Sequence, residues 1–428
     1  MLKVRNKYFY KDGRRFFYLA DTCWGAFTSM TMVDWKYYLA KRKHEGFNAI
    51  QINVLRQYDS TKPLEGHDPF PIVYHEDGSY EYDYSSPNEA YFNNAERMLE
   101  EMKKLDMTPT LVILWGNYIP DSWMNEPNGF QSHAPKPQVM SFAQIKSYVS
   151  YVVNRFKRFD PIYLVSGDVG FDKVSGQDPE IETKYYNEVI KAAKVADPEG
   201  IYSFHINGES KTLPPVLEKQ ADFFSYQSGH GPHGEEAASK IPEAKRKDGY
   251  PGPVVNAEPC YEGMTQFGVS PTHRFSAYDV RRTAWKSVLS GADAGIGYGS
   301  FGIWPWNDIY RPEQTVVGPL KPYDWRECLQ FRGAQDLGFL KDIILNYAQD
   351  GLTPLNLQNE EVKVAEGSDY YLIYSPVANP IDLSSLNIKV QSCKIYDLQS
   401  LRSINTLVDN NIIPMVPVLE DELVIIEK

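Results

Sequence analysis

The chain of 428 residues is short of several things, and each shortage removes a class of function. It has four cysteines, at 23, 260, 328 and 393, with no CxxC pair and no spacing of a small secreted framework, so reduced thiols are expected. Cys23 and Cys260 lie near the ends of predicted strands and read as packing residues rather than nucleophiles. Positive charge is scarce: the formal net charge is −12, which argues against the basic stripe of a nucleic-acid-binding surface. No apolar run approaches a membrane span, and the start Met1-Leu2-Lys3-Val4-Arg5-Asn6-Lys7-Tyr8 lacks an apolar signal region. The expectation is a cytoplasmic protein, although a trimmed export signal would leave the same start. Histidine is also sparse, at eight residues, which disfavours metal chemistry built on several converging imidazoles.

Aromatic side chains are abundant: 14% of residues, with 30 Tyr and 8 Trp. Most such rings belong in cores, but an excess of Tyr and Trp also suits carbohydrate sites, where flat sugar faces stack on rings. The hydrophobic fraction of 42% and charged fraction of 23% are those of an ordinary globular protein, and the length allows one large domain with a small one.

The pattern of apolar runs fixes the expected architecture. Residues 1–15 read as an entry hairpin turning at Lys11-Asp12-Gly13-Arg14. Eight apolar strands follow, in Phe16–Ala20, Phe47–Leu55, Thr110–Trp115, Ile162–Ser166, Tyr202–Ile206, Phe223–Gln227, Pro253–Ala257 and Ala294–Tyr298. Helical spacing separates them, over Thr31–Glu45, Asn88–Leu105, Phe142–Phe159, Lys184–Ala196, Pro214–Gln220, Glu235–Lys247 and Ser276–Leu289, with Trp325–Ile344 closing the series. Sustained strand–helix alternation gives a parallel sheet, and eight units close into an α/β fold, the (β/α)8 TIM barrel. A doubly wound open sheet is the alternative, disfavoured because the first turn has no glycine fingerprint. Two excursions, 56–86 and 116–139 (the latter carrying Trp123), are too long for plain connections and read as substrate-enclosing loops. From residue 349 the helical period stops and short alternating runs predict a small antiparallel β-sandwich, giving domains 1–348 and 349–428.

Barrel strands end in one shared mouth. Pro253-Val254-Val255-Asn256-Ala257-Glu258-Pro259 delivers an acid at the last position a strand controls, because Pro259 removes a ladder donor. Strand 4 ends at Gly167-Asp168 across the mouth. Paired carboxyls are what glycoside hydrolysis requires, one held protonated and one ionised. Glu258 is the expected nucleophile and Asp168 the acid/base. Asp21, Trp24, Gln51, Asn53, Trp115, His205, Gln227, Tyr261, Glu262, Tyr298, Trp304 and Trp306 are the expected substrate-binding residues. Such chemistry calls for no cofactor and no metal. His230-Gly231-Pro232-His233 offers a metal-binding alternative, but strand 1 supplies no histidine pair to join it. A sugar-binding barrel without catalysis is the other rival.

Three stretches carry a family resemblance: Leu19-Ala20-Asp21-Thr22-Cys23-Trp24, Val165-Ser166-Gly167-Asp168 and Glu258-Pro259-Cys260-Tyr261-Glu262. In these the chain resembles the apiosidase-like barrels of glycoside hydrolase family 140. The resemblance implies Asp168 as general acid/base, Glu258 as nucleophile and apiose at the scissile bond of a small glycoside or pectin-derived oligosaccharide. Related retaining barrels usually carry Asn-Glu at the end of strand 4, where this chain has Gly167-Asp168. The C-terminal module of the family often carries a Trp-x-x-Pro-x-x-Gly signature. The corresponding stretch here, Ile395-Tyr396-Asp397-Leu398-Gln399-Ser400-Leu401, points to a packing role instead.

Overall fold

The computed structural model describes residues 1–56, 63–76, 80–120, 122, 124, 139–171, 179–266, 270–311, 321–386 and 388–428. Trp123 and much of the two expected enclosing loops lie outside the described residues.

Eight strands form one sheet: β1 (Tyr18–Thr22), β2 (Ala49–Asn53), β3 (Thr108–Trp115), β4 (Ile162–Gly167), β5 (Ile201–Ser203), β6 (Phe224–Gln227), β7 (Val254–Glu258) and β8 (Gly295–Tyr298). Their order is β5-β4-β3-β2-β1-β8-β7-β6, and neighbours pair in parallel. Every residue of all eight is buried, which is why each reads in sequence as a continuous apolar run. The gap between β5 and β6 is bridged rather than laddered: the Asp222 amide donates to the Tyr202 carbonyl at 2.8 Å, and Ser203 Oγ to the Phe223 carbonyl at 2.7 Å. The result is a nearly closed (β/α)8 barrel.

The helices α1 (Met32–His44), α2 (Glu89–Lys104), α3 (Phe142–Phe156), α4 (Pro179–Ala196), α5 (Gly234–Lys247), α6 (Ala277–Leu289) and α7 (Arg332–Tyr347) surround it. Side-chain caps explain several starts. Thr31 and Asn88 accept from the first turns of α1 and α2, and Ser141/Gln144 and Ser276/Asp279 form capping boxes on α3 and α6. Several expectations need correction. Helix α4 begins five residues before Lys184, at Pro179, since proline suits a first helical position. The single helix expected over Trp325–Ile344 is two, Trp325–Cys328 and α7. The break frees the Gly333 amide, which donates to Glu262 Oε2 at 3.0 Å. The excursion after β2 is not wholly irregular, because Ile72–Tyr74 pairs with Tyr80–Tyr82. No helix among the described residues is long and apolar enough to cross a membrane.

The entry segment is a three-stranded meander, Leu2–Arg5, Tyr8–Lys11 and Arg14–Phe16, rather than one hairpin. Its two turns place Asn6, Asp12 and Gly13 at positive φ. After α7, strands β9 (Thr353–Leu355), β10 (Lys363–Glu366), β11 (Tyr370–Ser375), β12 (Ser392–Asp397), β13 (Arg402–Leu407) and β14 (Glu422–Glu427) form an antiparallel sheet ordered β9-β10-β11-β14-β12-β13. Alternation splits its faces. Ile373, Val424 and Ile426 pack with Ile381 and Ile413 of a two-stranded ribbon, while Leu372, Tyr374, Leu423 and Ile425 join the barrel core. Trp285 of α6 stacks on Tyr374, and Arg281 of α6 bonds both Asp421 and Asp336. The second sheet is therefore seated on the helices behind β7 and β8.

Candidate active site

Glu258 is the last residue of β7, and Pro259 ends the ladder there. A register shift at the end of β6 sets Gln227 opposite Glu258, a bulge that re-aims a side chain next to the mouth. Asp168 follows β4 directly, at φ +53°. Its neighbour Gly167 has to be glycine: a Cβ there would lie 2.1 Å from the Trp115 indole, which covers the strand end. The Gly-Asp pair is thus the backbone form that fits a tryptophan laid across β4.

The two carboxyls sit in contrasting surroundings. Glu258 Oε2 is 3.1 Å from His205 Nε2, and Oε1 is 3.1 Å from His230 Nε2. Burial alone would push the Glu258 carboxyl up, but hydrogen bonds from both imidazoles overcome that and hold it at about 2. Asp168 accepts from Gln227 Nε2 at 3.0 Å, and Gln227 also donates to the Ile206 carbonyl at 3.1 Å. Burial, then the nearby charge of Glu258, raises Asp168 to about 6. One carboxyl is kept ionised and the other kept protonated into mildly acidic conditions.

Trp24, Trp115 and His205 form one aromatic wall, with ring centroids at 5.1 Å (Trp24–Trp115), 5.4 Å (Trp24–His205) and 5.7 Å (Trp115–His205). The Nε1 of Trp115 and that of Trp304 are buried with no hydrogen-bond partner among the described residues. The Tyr261 ring lies 4.5 Å from that of His230, and burial followed by the charge of Glu258 pushes its phenol well above the usual range. Trp24, Trp115, His205 and Tyr261 gather beside the carboxyl pair.

Other expected substrate-binding residues make contacts within the protein. Asp21 is wholly buried, bonded through Oδ2 to Arg42 Nε at 2.5 Å and Tyr38 at 2.8 Å, and through Oδ1 to the Thr22 amide at 3.0 Å. It serves a core ion pair that Glu45 completes at 2.7 Å. Trp306 is buried against Trp325 and Tyr38. Tyr298 donates to Glu262 at 2.7 Å, and burial lifts Glu262 to about 7. Gln51 donates to Thr22 and to the Ala257 carbonyl, bracing β7, and Asn53 accepts from the Leu55 amide. All four cysteines are buried and unpaired, and burial pushes the Cys260 thiol up to about 12.

His230 was not among the expected site residues. Its only sequence signal was the His230-Gly231-Pro232-His233 turn, read there as a metal alternative. The turn follows β6 and instead delivers an imidazole to Glu258.

A family model described as "Apiosidase-like, catalytic domain" matches residues 4–349. Among solved structures, one titled "Glycoside hydrolase" superposes with a TM-score of 0.77 at 20% identity, covering 100% of this chain and 96% of that one. A glycoside hydrolase family 5 protein from Bacteroides vulgatus gives 0.76 at 20% identity, covering 99% and 91%. A second B. vulgatus structure, titled a putative glycoside hydrolase, gives 0.70 at 16% identity, covering 100% and 82%. A search of curated protein sequences found no match.

Proposed function

We propose that Asp168 and Glu258 carry out the hydrolysis performed by this chain, which belongs to the family of apiosidase-like catalytic domains and is a glycosidase. The observation that carries the assignment is the opposed pair of environments: Glu258 held ionised by two imidazoles, Asp168 held protonated by burial and by Glu258. Asp168 gives its proton to the leaving oxygen as that bond breaks, and Glu258 attacks the anomeric carbon. Asp168, now ionised, then takes a proton from the water that displaces Glu258.

Retention of configuration is the outcome that the surroundings of Glu258 support. A carboxylate held at about 2 is a poor base for activating water near neutrality, so a single-step inversion is served badly. The same carboxylate need only be ionised to act as a nucleophile, and its weak basicity makes it a good leaving group in the second step. The Trp24–Trp115–His205 wall suits the flat face of a sugar ring. The sugar we assign is apiose, terminal on a small glycoside or a pectin-derived oligosaccharide.

A panel of aryl β-glycosides, apiose-bearing flavonoid glycosides and pectin fragments tests the reading. Free apiose should appear with wild-type enzyme and disappear with Glu258→Gln. Release of a different sugar would move the substrate while keeping the mechanism, and binding without product would replace it with a sugar-binding barrel.

A further inference from the structure

The two imidazoles on Glu258 are not equivalent. His230 Nδ1 accepts the Tyr261 backbone amide at 3.3 Å, so the ring proton of neutral His230 belongs on Nε2, where it is donated to Glu258 Oε1 at 3.1 Å. The loop around it is anchored to the strand that carries the nucleophile: the Gly229 amide donates to the Glu258 carbonyl at 3.0 Å. Gly229 is at φ +74°, and a Cβ on Gly231 would meet Glu209 Oε1 at 2.2 Å. The Tyr261 ring lies against the imidazole. His205 differs: its Nε2 faces Oε2, its Nδ1 is buried with no partner among the described residues, and its ring stands against Trp24 and Trp115, on the side where the sugar is placed.

We propose that His230 is a positioning residue for the nucleophile, holding Oε1 of Glu258 throughout the reaction and so selecting Oε2 as the oxygen that bonds the anomeric carbon. This rests on the role proposed for Glu258. In the first step an Oε2 lone pair forms the bond to carbon while the bond to the leaving oxygen breaks, that oxygen taking the electron pair and the proton of Asp168. The resulting ester has Oε1 as its carbonyl oxygen, still a good acceptor for His230 Nε2–H. Water then attacks the carbon and gives a proton to Asp168, and the C–Oε2 pair returns to the carboxylate. The His230 bond is compatible with every stage. A fixed donor on Oε2 would oppose attack, and His205, anchored among the described residues at one nitrogen only, is the partner that can release it. The His-Gly-Pro-His turn thereby acquires a role without a metal ion.

Among the described residues, four ionisable groups lie around the Glu258 carboxyl: His205, His230, Asp168 and Tyr261. His230→Phe keeps a ring against Tyr261 but removes both the donor to Glu258 and the acceptor of the Tyr261 amide, and His230→Gln restores an N–H at similar reach. The primary readout is the 13C-carboxyl titration of Glu258, identified by its loss in Glu258→Gln. The midpoint should rise by roughly one pH unit or more in His230→Phe and return most of the way in His230→Gln. With 4-nitrophenyl β-apiofuranoside, kcat should fall about tenfold or more while KM stays within about twofold, as expected when a transition-state contact is lost. A lower Tm with an unchanged midpoint and unchanged kcat would mean a structural role and would overturn the proposal. Should His230→Phe fail to fold, 15N NMR of the wild-type imidazoles decides: His230 should hold the Nε2–H tautomer, and an Nδ1–H tautomer would overturn it. Full activity in Glu258→Gln would instead defeat the functional reading, so the two failures are distinguishable.

Discussion

Replacing Asp168 by asparagine should make the protein more stable at neutral pH while abolishing most of its turnover. The amide keeps the shape and still accepts from Gln227 Nε2, but it removes a charge that burial and Glu258 both disfavour. The folded state raises this carboxyl from 3.8 to about 6. At about 1.4 kcal/mol per unit, that shift corresponds to a cost of roughly 2–3 kcal/mol once the side chain is ionised, with partial solvent access placing it toward the lower figure. The sign follows from proton binding. Between about pH 4 and 6 the folded chain holds a proton that the unfolded chain has lost, so wild-type stability falls across that window and the penalty is complete above it. Denaturant unfolding of wild type and Asp168→Asn from pH 3 to 8 should show curves that coincide below about pH 4 and separate above 6, the variant being more stable. In a Glu258→Gln background the gap should shrink, because the neighbouring charge is gone. A variant less stable than wild type at pH 7, or a gap independent of pH, would refute the reasoning.

Other outcomes follow from the same geometry. The pH profile of kcat/KM should be bell-shaped, rising as Glu258 ionises near 2 and falling as Asp168 deprotonates near 6, with both limbs belonging to the pair. The upper limb should vanish in Asp168→Asn assayed with an activated leaving group. Gly167→Ala drives a methyl into the Trp115 indole, and kcat should drop about tenfold or more as Asp168 is displaced. Retained kcat in that variant would show that the strand end tolerates the shift. Arg42→Met leaves Asp21 and Glu45 without their shared buried partner and should cost about 3–5 kcal/mol in denaturant unfolding, with Asp21→Asn added to it recovering part of the loss.

The eight barrel strands were legible because each is buried on both faces, so a run of apolar residues was sufficient to mark it. Glu258 was legible because Pro259 marks where the strand stops controlling direction. Asp21 carried the same strand-end signal but a different fate, because its partner Arg42 arrives from the far end of α1, and contacts between elements leave no trace in local pattern. His230 was obscured in another way. Its reach to Glu258 depends on the positive φ of Gly229 and on a backbone amide 31 residues on, in a turn whose composition looked only like a turn. The division of the last helix was hidden because Leu329, Gln330 and Phe331 are all compatible with a helix; the contact between Gly333 and Glu262 accompanies the break.

The central claim is that Glu258 becomes covalently bonded to sugar while Asp168 handles the proton. Incubation with an activated 2-fluoro apioside, whose fluorine slows the second step, followed by intact mass and peptide mapping, tests it directly. A mass increase of one fluorosugar located on Glu258 is the expected result. A label on another carboxylate, or release of inverted product with no adduct, would contradict the assignment.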